Sequence, residues 1–277
     1  MKEKTQGKIA LVTGASSGMG KVIAEKFIRD GLRVIAAARR IDQMAELEAK
    51  GAYAIAMDVS DEASVTSGMQ DINDKFGGVD VLINNAGFGL YGAVEDIPLA
   101  DARYQFEVNM FGAAHLIQKC LPYMRAKQAG TIINISSMGG KIYTPLGAWY
   151  HASKHALEGF SDCLRLELAP FNIHVVVVEP GIIQTGFGNV LIDPMVKYSG
   201  DGAYGPMVQS IARATEDSYR PGRGSPPRLI ASVVSCAVKA RRPKTRYVAG
   251  QMAGLLLFIR KWFGDRIYDR AVMSQVT

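Results

Sequence analysis

The sequence predicts an α/β fold: a doubly wound, parallel seven-stranded sheet in a single Rossmann-like domain. Short β-branched runs alternate with helix-length segments over the first 180 residues, and a cluster of glycines joins the first run to the first helical segment. The runs are apolar at nearly every position, as expected for strands buried on both faces of a parallel sheet. A chain of 277 residues is long enough for one such domain.

The elements can be justified in order along the chain. Strands are predicted at 9–13, 33–38, 53–59, 79–84, 131–136, 174–179 and 247–250. Helices are predicted at 18–30, 42–50, 61–76, 101–125, 149–170, 228–240 and 253–263. Asp42 and Asp61 are suitable N-caps, and Gly31 suits a helix C-terminus. Because such sheets bind ligands at the carboxyl ends of their strands, we expect the site at that edge.

Residues 181–227 interrupt this rhythm, because Gly and Pro recur there among scattered Met and Tyr. A long irregular segment inside a compact domain is usually a lid or binding loop, or else disordered. We therefore expect a substrate-binding loop or lid at 186–227, inserted in a single domain of residues 1–277. A basic C-terminal extension is expected at 253–277.

The composition excludes several classes of protein. With 48% hydrophobic and 21% charged residues, the chain is not expected to be disordered. Three cysteines make no disulfide framework and suggest a reducing compartment. Residues 1–8 are polar, unlike a signal peptide, and no apolar run approaches the ~20 residues of a membrane span. We therefore expect a cytoplasmic protein.

Charge is distributed unevenly along the chain. Residues 220–277 hold 12 Lys and Arg against 2 Asp and Glu, a net of +10, whereas residues 1–219 have a net charge of −4. Such a tail suits a nucleic acid, an anionic membrane, an anionic ligand or a solvated face. It lacks a recognised nucleic-acid-binding fold, so we expect no nucleic-acid partner. Peripheral membrane contact is an alternative to the favoured interpretation, in which the last helix covers the sheet and subunit contacts.

The glycine cluster has the sequence TGASSGMG, at residues 13–20. Glycines between a buried strand and a helix let the backbone approach a diphosphate, and the helix N-terminus offers it free N–H groups. This position favours nucleotide binding over an ordinary turn. The candidate cofactor-binding residues here are Gly14, Ser16, Ser17, Gly18, Met19 and Gly20.

The end of the second predicted strand indicates which dinucleotide is bound. An acidic residue is expected there when a ribose 2′-hydroxyl is held. The sequence instead has Arg39 and Arg40 and no carboxylate. Because a guanidinium can grip a 2′-phosphate with two hydrogen bonds, we expect NADP(H). The alternative is that both arginines are solvated residues at a strand end.

A tyrosine and a lysine suggest proton transfer. Tyr150 and Lys154 are four residues apart in a predicted helix and share one face. A phenol titrates near ~10 when unperturbed, and a nearby ammonium would lower that pKa. The pair could then exchange a proton with an alcohol oxygen, and Ser137 could hydrogen-bond the same oxygen. Taken alone, such a pair is more often structural than catalytic.

Together these residues resemble the motifs of the short-chain dehydrogenase/reductase family. In order along the chain the motifs are TGASSGMG at 13–20, Asp58-Val59, Asn84-Asn85-Ala86-Gly87, Asn109, Ser137, YHASK at 150–154, and Pro180-Gly181 with Thr185. The resemblance covers residues 7–190 well and the rest more loosely. Within the family the chain is most similar to hydroxysteroid and retinol dehydrogenase-like members, through AARR at 37–40, GFG at 87–89, GGK at 139–141 and RPKTRY at 242–247.

The resemblance implies an NADP(H)-dependent oxidoreductase that transfers a hydride between nicotinamide and a secondary alcohol or ketone, bulky and apolar, steroid- or retinoid-like. In it Tyr150 is the general acid/base, Lys154 lowers the phenol pKa and holds the nicotinamide ribose, Ser137 orients the substrate oxygen, and Asn109 holds a relaying water. Further implied cofactor contacts are Asp58, Val59, Asn85, Ala86, Gly87, Pro180, Gly181, Ile183 and Thr185. A homodimer or homotetramer is also implied. The alternative is a non-catalytic NADP(H)-binding redox sensor or scaffold protein, although such members usually lose the Tyr or the Lys.

Other residues receive structural interpretations. His151 is adjacent to Tyr150 and is expected to point elsewhere, and the remaining histidines show no ligand spacing, so we expect no metal. The three cysteines are expected to be small buried residues. Residues that could wall an apolar cleft are Met138, Ile142, Tyr143, Leu146, Trp149, Phe187, Met195 and Tyr198.

Overall fold

The computed structural model describes residues 5–220 and 222–274. Its sheet has seven parallel strands in the order β3-β2-β1-β4-β5-β6-β7. The strands are β1 (Ile9–Thr13), β2 (Arg33–Ala38), β3 (Tyr53–Ala56), β4 (Val81–Asn84), β5 (Gly130–Ile135), β6 (Ile173–Pro180) and β7 (Arg246–Ala249). The predicted doubly wound α/β class is confirmed, and the strand order reverses between β1 and β4, where such sheets bind ligands.

The helices pack on both faces of this sheet. They are α1 (Gly18–Arg29), α2 (Ala45–Ala49), α3 (Glu62–Phe76), α4 (Leu99–Phe106), α5 (Gly112–Lys127), α6 (Ala148–Leu168), α7 (Phe187–Ser199), α8 (Gly205–Tyr219), α9 (Pro227–Lys239) and α10 (Ala253–Met273). One core lies under α1 and α9, around Phe27 and Val234. The second lies under α3, α5 and α6, around Ile72, Leu116 and Leu164. Burying both faces explains why the strands are apolar throughout.

Three predicted helices differ in detail from those observed. The last, predicted at 253–263, extends to Met273 as α10. The segment predicted at 42–50 begins as a 3₁₀ turn at Ile41–Met44, so Asp42 lies inside this turn and is not an N-cap. The segment predicted at 101–125 is interrupted by a π-turn, Glu107–Phe111, between α4 and α5. Asp61 is an N-cap as predicted, because its carboxylate accepts from the N–H groups of Ala63 and Ser64 at 3.1 and 3.3 Å.

The segment after β6 is more regular than expected. Most of residues 186–227 lies in α7 and α8, where the sequence suggested an irregular loop. The prolines misled this expectation, because Pro206 lies in the first turn of α8, where no helical N–H partner is lost. Pro194 is accommodated inside α7.

Burial of the cysteines was predicted correctly in one case only. Cys120 is buried, whereas Cys163 and Cys236 are exposed on the outer faces of α6 and α9. Among the described residues, no helix is long and apolar enough to cross a bilayer. In the same part of the chain, no group of three His, Cys, Asp or Glu side chains is arranged to hold a metal.

Candidate active site

A cavity of about 720 Å³ lies at the carboxyl ends of the strands. Every predicted site residue lines it except Gly20 and Asn109, which lie directly behind its wall. One end is formed by the glycine turn and the end of β2, and the other by α7 and the end of α8. The loop after β5 and the start of α6 lie between these ends, so the cavity is continuous from the glycine turn to Tyr150.

The glycine turn needs its glycines for conformation and for space. Gly14 and Gly18 have φ of +64° and +54°, in the left-handed region that favours glycine. A Cβ on Gly20 would lie 2.3 Å from the carbonyl oxygen of Gly14 and 2.5 Å from Nδ2 of Asn85. Gly20 therefore shapes the turn by close packing behind the cavity.

Helix α1 begins at this turn and presents its N-terminus to the cavity. Its N-cap residue, Ser17, makes no side-chain hydrogen bond to the first turn of the helix. The N–H groups at the start of a helix of 12 residues are thus available to an anion, which the helix dipole also favours. A diphosphate fits this arrangement of backbone donors.

The ends of β1 and β4 are joined by side-chain hydrogen bonds. The Thr13 hydroxyl oxygen accepts from the N–H groups of Asn85 and Ala86, both at 3.0 Å. Nδ2 of Asn85 donates to the carbonyl oxygen of Thr13 at 2.9 Å. The Oδ1 of Asn85 is buried and has no hydrogen-bond partner among the described residues.

Two arginines and one carboxylate lie at the end of the cavity that is formed by the glycine turn and the end of β2. Arg39 and Arg40 both line the cavity, and Nη1 of Arg39 donates to the Tyr104 hydroxyl at 3.0 Å. The Asp58 carboxylate accepts from the N–H and hydroxyl groups of Ser60 at 3.0 and 2.6 Å. The structure therefore places two guanidinium groups where a cofactor phosphate could be bound.

Tyr150 lies on the buried face of α6 and opens onto the cavity. Burial raises the pKa of its phenol, and the side chain of Ser137 acts in the opposite direction. The lowering of the Tyr150 pKa that was expected from Lys154 is therefore not found, because desolvation of the buried phenol dominates. The phenol is protonated at neutral pH and can serve as a proton donor.

Lys154 is held by backbone from the neighbouring strand. Its Nζ donates to the carbonyl oxygen of Ile135 at 2.9 Å. Burial lowers its pKa to about 8, while the Glu158 carboxylate acts in the opposite direction. Gly87 allows the loop after β4 to pack closely beside this lysine, since a Cβ there would lie 3.0 Å from Oδ1 of Asn109.

Asn109 lies in the π-turn between α4 and α5, a feature common at functional sites. Its Oδ1 accepts from the N–H of Phe88, and its Nδ2 donates to the carbonyl oxygen of Phe88 and to the Ser153 hydroxyl, all at 3.0 Å. The side chain thus fixes the loop after β4, which lines the cavity. The sequence suggested Asn109 only by resemblance, and the π-turn had no recognisable signal.

His151 lines the cavity, although it was expected to point elsewhere. Its Nε2 accepts from the N–H of Thr144 at 3.1 Å, so the proton is on Nδ1, which donates to the carbonyl oxygen of Gly139 at 2.9 Å. Burial lowers its pKa to about 4, so the ring is neutral. The Tyr91 hydroxyl lies 3.3 Å from Nε2. This histidine fixes the loop between β5 and α6, which agrees with the structural interpretation.

The end of the cavity beyond Tyr150 is largely apolar. Of the predicted wall residues, Met138, Ile142 and Phe187 line it. The others do not: Leu146 and Met195 belong to a core cluster, Trp149 and Tyr198 pack in another, and Tyr143 contacts Tyr268. Lining residues that sequence reasoning missed are Phe88, Tyr91, Tyr104, Thr144, Val190, Leu191 and Tyr219. They come from loops and helices whose packing only the fold determines.

Comparisons with known proteins show the family to which the chain belongs. The family model of the short chain dehydrogenases matches residues 8–194. The chain is 33% identical to an NADPH-dependent 3-dehydrocapnine reductase of Ornithobacterium rhinotracheale, over 95% of this chain and 95% of that protein. It is 34% identical to a 3-ketodihydrosphingosine reductase of Bacteroides thetaiotaomicron, over 96% and 97%.

Solved structures give the same result. A short-chain dehydrogenase of Streptomyces avermitilis is similar with a TM-score of 0.81 and 33% identity, over 97% of this chain and 95% of that one. One from Burkholderia phymatum, in complex with NAD, is similar with a TM-score of 0.79 and 26% identity, over 93% of both. The chain belongs to the short-chain dehydrogenase/reductase family of oxidoreductases, which bind nicotinamide cofactors.

Proposed function

We propose that the protein reduces a bulky, apolar ketone to a secondary alcohol with NADPH, and catalyses the reverse reaction when the alcohol is in excess. One observation carries this proposal: Tyr150, Ser137 and Lys154 meet inside a single cavity, between the glycine turn and an apolar end. A hydride donor and a ketone bound at the two ends would meet beside a protonated phenol.

The cofactor proposal rests on residues at the first end. The N-terminus of α1 and Gly14, Ser16, Ser17, Gly18 and Met19 would hold the diphosphate. Arg39 and Arg40 would bind a 2′-phosphate, which favours NADP(H) over NAD(H). Further contacts are proposed for Asp58, Val59, Asn85, Ala86 and Gly87 on the adenosine side, and for Pro180, Gly181, Ile183 and Thr185 at the nicotinamide. The cofactor supplies a hydride to the carbonyl carbon.

The chain's own side chains would control the substrate oxygen. Ser137 donates a hydrogen bond that orients it, and Tyr150 donates the proton that completes the alcohol. Lys154 holds the ribose hydroxyls and its ammonium favours the phenolate left after transfer. Asn109 would position the loop after β4, which contains Phe88, beside these side chains. Through a backbone carbonyl it would also hold the water that relays protons.

The substrate class rests on the apolar end of the cavity. Helices α7 and α8 cover that end with Phe187, Val190, Leu191 and Tyr219, so residues 186–227 are proposed to be the substrate lid. A steroid- or retinoid-like ketone suits such a wall. The names of two relatives add 3-dehydrocapnine and 3-ketodihydrosphingosine as candidate substrates.

Tyr150→Phe tests the proposal. We expect NADPH oxidation with a responsive ketone to fall at least 10³-fold, while the melting temperature and the dissociation constant for NADPH stay unchanged. The screen should contain steroids, retinoids, aliphatic ketones, 3-dehydrocapnine and 3-ketodihydrosphingosine. Retained turnover in the variant would exclude Tyr150 as the acid. An empty screen with tight NADPH binding would instead favour the redox-sensor or scaffold function.

We also propose a homodimer or homotetramer formed through the helices that hold Asn109 and Tyr150. Large apolar side chains are exposed there, with Phe111 54% and Leu166 71% accessible. Exposed apolar groups of this size favour burial against another subunit. Light scattering of the wild type and of Phe111→Ser would test it, and the variant should shift toward a smaller species.

A further inference from the structure

Helix α10 carries aromatic side chains on its outer surface. Phe258, Trp262 and Phe263 are 55%, 66% and 50% exposed, and Leu255 is 54% exposed. The Phe258 ring lies 6.5 Å from that of Trp262 and 6.1 Å from that of Phe263, between ring centroids. Leu255, Phe258 and Trp262 follow helical spacing and so share one face. We call these four residues the aromatic patch.

The helix is fixed to the body of the protein at a second point. Gly264 interrupts its helical geometry with φ +70° and ψ +179°. Beyond that kink Tyr268 is fully buried, and its hydroxyl donates to the carbonyl oxygen of Tyr143 at 3.0 Å. The Tyr143 hydroxyl in turn donates to Asp269 at 2.9 Å. The segment beyond the kink is therefore fixed beside the loop that also contributes Ile142 to the cavity. On the patch side of the kink, the guanidinium carbon of Arg260 lies 5.2 Å from the centre of the Tyr143 ring.

One cationic side chain lies against the patch, and two more are exposed on the segment beyond the kink. Nζ of Lys261 lies 5.2 Å from the centre of the Trp262 ring. Arg266 and Arg270 lie two residues on either side of the buried Tyr268 and so face outward. In residues 5–220 and 222–274, none of these three cations has an acidic side chain within 4.0 Å. Residues 253–273 hold four Lys and Arg against two Asp, so α10 itself has a net charge of +2.

We propose that α10 is a docking surface for an anionic lipid bilayer, on which the aromatic patch enters the headgroup region and the cations contact lipid phosphates. Trp and Phe next to Lys and Arg are the side chains that favour such an interface. Charge complementarity selects this occupant over a second copy of the chain, whose own α10 would bring the same positive charge. The proposal is independent of the reaction proposed above, and it places the apolar end of the cavity near a source of apolar substrate.

Vesicle flotation of the full chain tests this inference. We expect the protein to float with vesicles of phosphatidylcholine and phosphatidylserine at low salt, and to bind at least tenfold less to phosphatidylcholine alone or at high salt. Serine at positions 258, 262 and 263 together (F258S, W262S, F263S) should reduce binding to the anionic vesicles at least tenfold. The combination K261Q, R266Q and R270Q should remove the preference for phosphatidylserine.

A matched control separates this surface from others. Val94→Ser removes an apolar side chain that is 58% exposed and lies outside the helices of the proposed subunit contact, and it should leave vesicle binding unchanged. The chain has 2 tryptophans, so Trp149→Phe leaves Trp262 as the only reporter, and its emission should shift to shorter wavelength with anionic vesicles. All variants should keep the wild-type melting temperature and their turnover of a water-soluble ketone.

Several outcomes would overturn the inference. Wild-type protein that stays unbound on both kinds of vesicle excludes it, as does a triple serine variant that still floats. A triple variant whose light-scattering mass falls to that of a monomer, with no vesicle binding by the wild type, assigns the patch to a second copy of the chain. Loss of activity in Tyr150→Phe has no bearing on any of these results.

Discussion

The ammonium nitrogen of Lys154 lies 2.9 Å from the carbonyl oxygen of Ile135, inside the protein. Burial lowers the pKa of this lysine to about 8 from an ordinary value of 10.5. Because the folded-state value lies below the unfolded one, the cost of burying the charge is fully present below about pH 8. That cost declines as the pH rises from there toward the unfolded value.

Lys154→Met should therefore raise the stability of the cofactor-free protein. At pH 7 we expect an increase of up to about 3 kcal/mol in the free energy of unfolding, since each pKa unit corresponds to about 1.4 kcal/mol. Denaturant titrations at about pH 7 and about pH 10 check it, and the gain should shrink at the higher pH. A variant that is less stable than wild type at pH 7 would contradict the prediction. Activity should fall in the same variant.

The reductive reaction should lose activity at high pH. The Tyr150 phenol stays protonated, because burial raises its pKa. Lys154 loses its charge as the pH rises through about 8. We therefore expect kcat/KM for ketone reduction to be level below that pH and to fall above it. Rates of NADPH oxidation across the pH range measure this profile, and the break should be absent from the residual rate of Lys154→Met.

The parallel sheet was predictable because its strands are buried on both faces. Their continuous apolar runs, such as 9–13, do not depend on details of packing. The glycine turn was predictable for a similar reason. Gly14 and Gly18 adopt the left-handed backbone conformation that favours glycine, so the local sequence indicates the turn. Arg39 and Arg40 could be located because they follow directly from the end of a strand.

The rest of the site depends on contacts between distant segments. The neighbours of Tyr150 in the cavity come from α7 and α8, whose prolines concealed their helical character. Tyr219 lines the cavity only because α8 ends there. The π-turn that positions Asn109 reflects hydrogen bonds to Phe88, which is 21 residues away in the chain. The raised pKa of Tyr150 follows from burial of its phenol. The four-residue spacing between Tyr150 and Lys154 gives no information about that burial.

Replacing Arg39 and Arg40 together with alanine should change the choice of cofactor. Removing both guanidinium groups should raise the KM for NADPH about 10- to 100-fold, because the charge-assisted contacts that they make together are worth about 1.5–3 kcal/mol. The KM for NADH should change by less than about twofold. Steady-state kinetics with the two cofactors measure this. Arg33→Ala is the control, because Arg33 lies at the opposite end of β2 over the Phe76 ring. Equal losses for both cofactors would exclude 2′-phosphate recognition.

Glu179 makes stability depend on pH. Nε of Arg246 lies 3.1 Å from its carboxylate, and Nη2 lies 3.0 Å from the Glu158 carboxylate. Burial, followed by the charge of Glu158, raises the pKa of Glu179 to about 7 from 4.5. Since the folded-state pKa is the higher one, burying Glu179 costs no stability below about pH 4.5, where the carboxyl is protonated in both states. Stability is lost as the pH rises through 7, because the buried carboxyl must then ionise.

Glu179→Gln should remove that loss. We expect the variant to be more stable than wild type at about pH 8 and to lose its advantage at about pH 4.5, by thermal unfolding at both values. Asp162 is the control with the opposite sign, because its hydrogen bond with Arg246 lowers its pKa to about 2. Asp162→Asn should therefore be less stable than wild type at pH 8. A Glu179→Gln variant that melts lower at pH 8 would show that the Arg246 contact outweighs burial.

Two glycine substitutions test the packing of the cofactor turn against helix propensity. Gly20 and Gly159 both lie in α-helices, and both are replaced by alanine. A Cβ at Gly20 would meet the Gly14 carbonyl oxygen at 2.3 Å, whereas nothing lies within 4 Å of a Cβ at Gly159.

Gly20→Ala should lower the free energy of unfolding by about 1–3 kcal/mol through overpacking, and weaken NADPH binding because the turn must shift. Gly159→Ala should raise stability by about 0.5–1 kcal/mol through helix propensity, with unchanged cofactor affinity. Denaturant titration and NADPH fluorescence measure both. Gly20→Ala with wild-type affinity would show that the turn can relax without reshaping the diphosphate site.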